Sequence, residues 1–341
     1  MKIGLLTGGG DSSAINAAIR AVVRKALDEH YEVVGIMQGW RGLVENMMEP
    51  LTMRSVSGIL HSGGTILGTS RTNPFKIDNG VDRVLENLKA HSIDALVVIG
   101  GDDTNGVAHR LAEFGVKCVG IPQTIDNDLP GTDYSIGFDT AVEVACDALD
   151  KLHTTASSHH RIMILQVMGR DAGWIALISG IAGGADNILI PEIPFLLEEV
   201  VERIEMRRRL GKEFSIIVVS EGAKPLGRQE QFTASERRDA FGHARLGGVG
   251  NWLAGELEAR TGYESRITDL GHVQRGGSPT VFDRVLATRL GVQAVEMVKN
   301  GAFDQMACMC RNELNSIPYS EALAGIKTVD MQFYEMAMLF Y

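Results

Sequence analysis

The sequence predicts an α/β protein with doubly wound, mainly parallel sheets, and three observations favour this. Short aliphatic runs recur along the chain, and each ends in small or charged residues. The runs are apolar on both faces, which is typical of interior strands of a parallel sheet. Amphipathic stretches that fit helices separate them, and such alternation predicts βαβ units. With 341 residues and roughly 150 residues per domain, we expect about two domains.

The predicted elements follow one another along the chain. Apolar runs that fit strands lie at 2–10, 32–37, 94–103, 117–128, 161–170, 187–192 and 215–222. Helical stretches lie at 14–26, 107–113, 138–153 and 197–210. We expect a domain boundary near Gly137, because an acidic strand end there precedes a long helical stretch. The polar segment 224–245 is predicted to be an exposed excursion before a helix at 247–259.

Composition narrows the function classes. Hydrophobic residues at 45% and charged residues at 22% exclude a disordered, collagen-like or coiled-coil chain. The net charge of −10 argues against nucleic-acid or anionic-membrane binding. We find no apolar run near the roughly 20 residues that span a bilayer and no cleavable leader, so a cytoplasmic protein is expected. The four cysteines lack paired metal-site spacing; the close pair at 308 and 310 leaves metal binding or oxidation open as a less favoured alternative.

Glycines and carboxylates follow the predicted strands where ligands collect in such folds. Gly8, Gly9 and Gly10 lead into a helix, whose free backbone N–H groups favour an anion, although a tight turn without a ligand is the alternative. The spacing fits neither a Walker loop nor a dinucleotide fingerprint, which argues against a nicotinamide dehydrogenase. Asp102 and Asp103 repel each other unless a cation or solvent separates them, so Mg²⁺ is predicted there. A helix N-cap aspartate beside a solvated one is the alternative.

A second acidic strand end carries Thr124, Asp126 and Asp128. An extended backbone would point all three side chains to one side. A carboxylate near another acid can act as a general base toward a sugar hydroxyl, and simple turn chemistry is the alternative. Several basic residues beside small residues favour phosphate clamps over solvated faces; they are Arg71, Arg161, Arg170, Arg266, His272 and Arg275.

Taken together, these segments resemble the 6-phosphofructokinase family, most closely the subgroup with ATP- and pyrophosphate-dependent members. The matching segments occur in family order: LTGGGD, GGTILGTSR, ALVVIGGDDTNG, IPQTIDNDLPGTDYSIGFDTA, SSHHRI, VMGRDAGW, SEGAKP and LGHVQRGGSP. The resemblance implies two Rossmann-like domains with the active site in the cleft between them. It divides the chain into 1–137 plus 250–300 for the phosphoryl donor and 138–249 plus 301–341 for the sugar phosphate.

The resemblance also implies a reaction: phosphorylation of the 1-hydroxyl of fructose 6-phosphate to fructose 1,6-bisphosphate in glycolysis. Asp126 would be the general base, supported by Asp128, while Thr124 and Arg170 would stabilise the transferring phosphoryl group. Asp102 would hold Mg²⁺. The donor would be cradled by Gly10 and Arg71. The sugar phosphate would be held by Thr124, Asp126, Met168, Gly169, Arg170 and Glu221, and its 6-phosphate by Arg161, Arg266, His272 and Arg275. Family members share arginines between subunits, so a homodimer or homotetramer is expected.

The donor prediction rests on two positions, Asp103 and Gln123. ATP users of the family have glycine at the place of Asp103, so a carboxylate there favours pyrophosphate by filling the space and by repelling a further phosphate. Gln123 stands where pyrophosphate users typically carry lysine and ATP users often glycine. We therefore expect pyrophosphate, with ATP as the alternative donor. A catalytically silent sugar-phosphate sensor is a further alternative, which the intact Asp126 disfavours.

Overall fold

The computed structural model describes residues 1–238, 242 and 244–340. In chain order the strands are β1 Lys2–Thr7, β2 Glu32–Ile36, β3 Met48–Leu51, β4 Ala95–Gly100, β5 Cys118–Pro122, β6 Ile162–Val167, β7 Asn187–Leu189, β8 Ser215–Ser220, β9 Thr233–Arg238, β10 Ala244–Leu246, β11 Ser265–Asp269, β12 Gln305–Cys310 and β13 Glu313–Pro318. The α-helices are α1 Ile15–Asp28, α2 Trp40–Glu45, α3 Gly80–Ala90, α4 Asp102–Ala112, α5 Phe138–His159, α6 Trp174–Ala182, α7 Leu197–Arg209, α8 Val249–Thr261, α9 Val281–Lys299, α10 Tyr319–Ala322 and α11 Met331–Ala337.

Two sheets organise these elements, as the alternating pattern predicts. The first has the order β13-β12-β5-β4-β1-β2-β3, with antiparallel pairing only at its two ends. The second has the order β11-β6-β8-β7 and is parallel throughout. Every residue of β4, β6 and β8 is buried, which explains why these runs are apolar on both faces. The predicted α/β class with two mainly parallel sheets is confirmed.

Helices cover both sheets. On the first sheet, α1 packs against α9. The two helices approach so closely that a Cβ added at Gly291 would lie 2.7 Å from the Ala21 Cβ. On the second sheet, α5 packs against α6 and α8 packs against β11. None of the described helices is long and apolar enough to cross a membrane.

The structure divides the chain differently from the predicted domains. Residues 250–300 do not stay together, because β11 pairs with β6 in the second sheet while α9 packs on the first. Residues 301–341 are also split, since β12 joins β5 and carries β13 with it, whereas α11 packs on α6 of the second sheet. The sequence pattern shows that a strand is present, but its neighbour in the sheet is set by long-range packing, which periodicity does not reveal.

Two further expectations concern chain segments between domains. Gly137 is the N-cap of α5 and has φ +100°, a conformation that glycine adopts readily. The predicted boundary therefore coincides with the start of this helix. The segment 224–245 is exposed over 226–230, then forms β9, which pairs antiparallel with β10. Residues 239–241 and 243 of that segment lie outside the described part of the chain. The four cysteines are free thiols.

Candidate active site

One pocket gathers the turns that follow β1, β4, β5 and β6. Residues from both sheets line it: Gly9, Gly10, Arg71, Gly101, Asp102, Asp103, Thr104, Gln123, Thr124, Asp126, Asp128, Arg170 and Arg275. The carboxyl ends of parallel strands meet at one edge of a sheet, which is why residues so far apart in sequence converge here. All the residues predicted for catalysis and donor binding lie in this pocket.

The glycine-rich turn after β1 supports the pocket floor. Gly8 N donates a hydrogen bond to Ile99 O at 3.0 Å, which ties the turn to β4. The Arg275 guanidinium crosses the turn and donates to Asp11 O at 3.0 Å. A Cβ added at Gly10 would overlap that guanidinium, so a side chain at this position would push the Arg275 end group aside. The Arg275 guanidinium therefore lies beside the turn that leads into α1.

Asp102 and Asp103 form the first turn of α4. The N-cap is Gly101, with no side-chain cap, so the alternative that one of these aspartates is an N-cap is wrong. The helix dipole favours negative charge in its first turn, which offsets part of the repulsion between the two carboxylates. Asn105 Nδ2 donates to Gly100 O at 2.6 Å and fixes the strand-to-helix turn.

The turn after β5 is not extended, contrary to the sequence-based expectation. Asp126 N donates to Thr124 Oγ1 at 3.1 Å, and Asn127 has φ +52°. The left-handed residue reverses the chain between the two aspartates, and all three predicted side chains still line the pocket. Asn127 tolerates this conformation better than a β-branched residue would.

Burial and charge set the protonation of these acids. Burial raises the pKa of Asp126; Arg275 and Arg170 oppose the shift, and Asp102 adds to it. The pKa of Asp128 is raised to about 7 by burial and then by repulsion from Asp126 and Asp102. Asp126 Oδ1 is buried and has no hydrogen-bond partner. The pocket therefore holds acids that bind protons, or a cation in their place, near neutral pH.

Arg170 and Glu221 come from the second sheet. Arg170 has φ +51° directly after Gly169 at φ +145°, which turns the chain sharply beyond β6. Burial opposes the charged guanidinium, but Asp126 and Asp102 outweigh it and raise the pKa of Arg170. Burial raises the pKa of Glu221 to about 7, assisted by Asp126 and opposed by a hydrogen bond from the Arg170 backbone. Met168 N donates to Gln274 Oε1 at 2.8 Å, which links the turn to the segment 271–275.

The donor set of the pocket fits Mg²⁺. This ion prefers carboxylate oxygens and usually completes its shell with water and substrate phosphates. Four carboxylates line the pocket, at Asp102, Asp103, Asp126 and Asp128. Within the described residues no three His, Cys, Asp or Glu side chains converge closely enough to hold a metal alone. An ion held by Asp102 would therefore take further ligands from phosphate oxygens.

Two of the residues predicted to bind the 6-phosphate, Arg161 and Arg266, lie outside this pocket. Arg161 immediately precedes β6, and Arg266 is paired with Met163 near the start of that strand. A strand of six residues spans about 20 Å, so both arginines are far from the turn at Arg170. Both guanidinium groups form ion pairs with Glu264 instead. His272 lies at an adjoining cavity that Arg71 and Arg275 share.

Gly9 belongs to the glycine turn predicted to favour an anion, and two lining residues were not predicted: Gly101 and Thr104. Each is a direct neighbour of a predicted residue, so the strand-end position itself was the available signal. Gln274 was also missed as a support of Met168, although it lies in the quoted segment LGHVQRGGSP.

The family model described as phosphofructokinase matches residues 2–298. The chain belongs to the phosphofructokinase family. A pyrophosphate--fructose 6-phosphate 1-phosphotransferase of Amycolatopsis mediterranei is 53% identical over the whole of both chains. An ATP-dependent 6-phosphofructokinase 3 of Streptomyces coelicolor is 46% identical and aligns over 96% of each chain.

The solved structures agree with this membership. Phosphofructokinase from Saccharomyces cerevisiae has a TM-score of 0.82 at 33% identity, and the alignment covers 95% of this chain and 45% of the yeast chain. The chain thus spans about half the length of that phosphofructokinase. The predicted resemblance to a subgroup with both donors is confirmed by relatives named for pyrophosphate and for ATP.

Proposed function

We propose that this phosphofructokinase transfers a phosphoryl group from pyrophosphate to the 1-hydroxyl of fructose 6-phosphate. The observation that carries the proposal is the buried carboxylate of Asp126 beside Arg170 and Asp128 in a pocket built from both sheets. A raised pKa suits a general base that works near neutral pH. The full-length relatives named for this reaction, at 52% to 53% identity, support it.

Each side chain has a role in the proposed step. Asp126 takes the proton of the 1-hydroxyl as its oxygen bonds to the transferring phosphorus, and the bond from that phosphorus to the bridging oxygen of pyrophosphate breaks. Arg170 stabilises the negative charge that spreads over the equatorial oxygens, and the Thr124 hydroxyl donates to the same group. Asp128 keeps the pocket negative enough to retain the proton after transfer.

Mg²⁺, when bound, neutralises the donor phosphates and orients them. Asp102 would hold it, because this carboxylate lines the pocket from the first turn of α4. Gly10 and Arg71 lie beside it and would cradle the same phosphates. Gly8 N and Gly9 N already donate to Ile99 O and Ser70 O, so backbone N–H donors for these phosphates would come from Gly10 onward.

The sugar phosphate would be gripped from the second sheet and from the segment 271–275. Met168, Gly169 and Glu221 stand at the carboxyl ends of β6 and β8, next to Arg170. His272 and Arg275 would meet the 6-phosphate at the adjoining cavity. Arg161 and Arg266 would meet it only from a neighbouring subunit, so a homodimer or homotetramer remains a prediction, as does the cytoplasmic location.

Pyrophosphate is favoured over ATP by Asp103. This residue is half-buried in the first turn of α4 and lines the pocket beside Asp102. A carboxylate there occupies space and sets negative charge against any phosphate beyond the second. Gln123 is 1% exposed and neutral, so it offers no cation to the donor. Changing both positions, Asp103→Gly with Gln123→Gly, should move the preference toward ATP.

The test is an assay with fructose 6-phosphate, Mg²⁺ and either pyrophosphate or ATP at equal concentrations. Formation of fructose 1,6-bisphosphate should be faster with pyrophosphate and should stop when EDTA removes the metal. Faster turnover with ATP would show that Asp103 does not exclude a nucleotide. Binding of fructose 6-phosphate without product from either donor would identify the silent sensor instead.

A further inference from the structure

The chain crosses from the first sheet to the second over residues 323–330, and this crossing segment contacts both halves of the pocket. Lys327 N donates to Asp128 O at 2.7 Å. Its carbonyl accepts a hydrogen bond from Trp174 Nε1 at 2.8 Å. Asp128 belongs to the turn after β5, and Trp174 opens α6 just beyond the Arg170 turn. The backbone of one residue therefore joins the two turns that carry the reacting groups.

The crossing segment is fastened a second time, two residues further on. Glu192 Oε1 accepts hydrogen bonds from Val329 N at 2.9 Å and from Gly173 N at 2.9 Å. Gly173 immediately precedes Trp174 at the start of α6. The segment is thus bonded, through Glu192, to the residue that precedes α6, a few residues after Arg170.

The Lys327 side chain reaches the loop between Asp126 and α5. Its ammonium donates to Thr132 O at 2.8 Å and to Asp133 O at 3.0 Å. The same Asp133 carbonyl accepts from Asn127 Nδ2 at 3.2 Å. Asn127 has φ +52° and stands between the two aspartates, so its conformation decides where they point. One carbonyl therefore connects the ammonium to the left-handed turn.

The charge of Lys327 is partly shielded from water. Burial lowers the pKa of Lys327 to about 8, against the attraction of Asp133, Asp128 and Cys310. The ammonium also lies 5.5 Å from the centre of the Trp174 ring. Hydrogen bonds from a charged donor to carbonyls in such surroundings are stronger than neutral ones. The contact is therefore suited to hold a strained turn in place.

We propose that Lys327 is a positioning residue for the phosphotransfer step. Its ammonium holds the loop at Thr132 and Asp133 so that the turn at Asn127 aims Asp126 into the pocket, and its backbone fixes that loop relative to the Arg170 turn. The proposal rests on the proposed function, in which Asp126 is the base and Arg170 the electrostatic partner. Lys327 touches neither substrate in this role.

The test compares Lys327→Met, which keeps the aliphatic stem, with Lys327→Arg, which keeps the charge. Because displacements near 1 Å can cost about a hundredfold in rate, Lys327→Met should lower kcat at least tenfold with the KM for fructose 6-phosphate changed less than about threefold. Lys327→Arg keeps a charged donor for the Thr132 and Asp133 carbonyls, so kcat should stay within about threefold of the unmutated protein. The matched control is Lys89→Met, an exposed lysine on α3, which should leave kcat unchanged.

A second measurement separates this proposal from the proposed function. Ser135 N donates to Asn127 Oδ1 at 2.9 Å, so amide hydrogen exchange at Ser135 reports on the turn in the free protein. Lys327→Met should accelerate that exchange, and Lys327→Arg should not. This outcome does not depend on which donor the enzyme uses. A protein without activity toward either donor would overturn the proposed function while the exchange comparison still tested Lys327.

The proposal is overturned if Lys327→Met keeps kcat within twofold, even when its unfolding temperature falls, because Lys327 would then stabilise the fold only. Unchanged exchange at Ser135 would overturn it as well. Should Lys327→Met fail to fold, Trp174→Phe removes the donor to the Lys327 carbonyl and keeps an aromatic ring. That variant should lower kcat several-fold, and an unchanged kcat would also reject the proposal.

Discussion

Strand β6 carries predicted site residues at both of its ends, and the two ends behave differently. At the carboxyl end, Arg170 meets Asp126 and Asp102 in one pocket built by this chain. At the amino end, Arg161 is paired with Glu264 at the far edge of the sheet, and Arg266 beside it has the same partner. A parallel sheet collects ligand-binding groups at the carboxyl ends of its strands, so side chains at the amino ends do not reach that pocket within the same chain.

Only some of the proposed site residues meet within one chain. The proposed base Asp126, its proposed electrostatic partner Arg170 and the carboxylate of Asp102 that would hold Mg²⁺ all lie at the carboxyl ends of the strands. Within one chain, the two arginines at the amino ends of β6 and β11 contact only protein groups and pair with Glu264. Substitutions at the two edges should therefore change different kinetic constants.

The largest effect is expected at the carboxyl edge. Asp126→Ser removes the proposed general base, so kcat should fall by about 10²–10⁴-fold while fructose 6-phosphate binding changes little. Steady-state kinetics and calorimetric titration with fructose 6-phosphate measure the two quantities. Asp82→Ser, at an exposed position on α3, is the matched control and should be silent. Near-normal turnover of Asp126→Ser would remove Asp126 from the mechanism.

Substitutions of the arginines at the amino ends of β6 and β11 should change the KM for fructose 6-phosphate. Arg161→Ala or Arg266→Ala should raise the KM for fructose 6-phosphate by about 10- to 100-fold, because each loses a charged hydrogen bond to the 6-phosphate. Arg260→Ala on the same domain, an exposed residue paired with Glu198, should leave KM unchanged. Mixing Asp126→Ser subunits with Arg161→Ala subunits should restore activity if the arginines act across a subunit boundary. No recovery in the mixture would mean that the two edges do not cooperate in this way.

The two ends of β6 should also differ in how their kinetic effects depend on pH. The pKa values of Asp128 and Glu221 are raised to about 7, and that of Asp126 is raised as well, so all three are protonated in acid. Because the base must be ionised and burial raises the pKa of Asp126, kcat/KM should fall as the pH is lowered from 8 to 6. The proposed contact of Arg161 with the 6-phosphate does not involve the base, so the KM effect of Arg161→Ala should persist at both pH values.

The same shifts predict the sign of a stability effect. A carboxyl whose pKa is raised on folding keeps its proton in the native state after the unfolded chain has released it. The free energy of unfolding of the metal-free protein should therefore decrease as pH rises from about 4 to about 7. Urea unfolding of Glu221→Gln should show a smaller decrease, and an unchanged profile would contradict the assigned burial of Glu221.

The smallest effect concerns the donor. Gln123→Lys adds a cation at the end of β5, and the KM for pyrophosphate should fall about threefold, in proportion to a screened charge interaction. The KM for fructose 6-phosphate should not change, which keeps the effect local to the donor half of the pocket. A KM for pyrophosphate that rises instead would place the new ammonium away from the donor.

Strand ends were the part of the site that the sequence predicted well. Apolar runs followed by Gly, Asp or Arg marked the carboxyl edge, and every predicted catalytic and donor residue lies there. The prediction of an extended backbone over Thr124–Asp128 was wrong, because Asn127 adopts a left-handed conformation, which the sequence pattern does not reveal. Lys327 carried no signal at all, since its importance comes from crossing between sheets near the end of the chain.

By itself, the sequence determined the α/β class, the order of the βαβ units and the family, because periodicity and short motifs are local properties of the chain. Tertiary structure alone decided that β11 joins β6 and that β12 joins β5, since hydrogen bonding between distant strands depends on packing. It also decided which charged groups meet. Arg170 faces four carboxylates while Arg161 faces Glu264, although both arginines flank the same six-residue strand. The physical reason is geometric: a strand separates its two ends by about 20 Å, a distance over which motif spacing in sequence gives no information about contact.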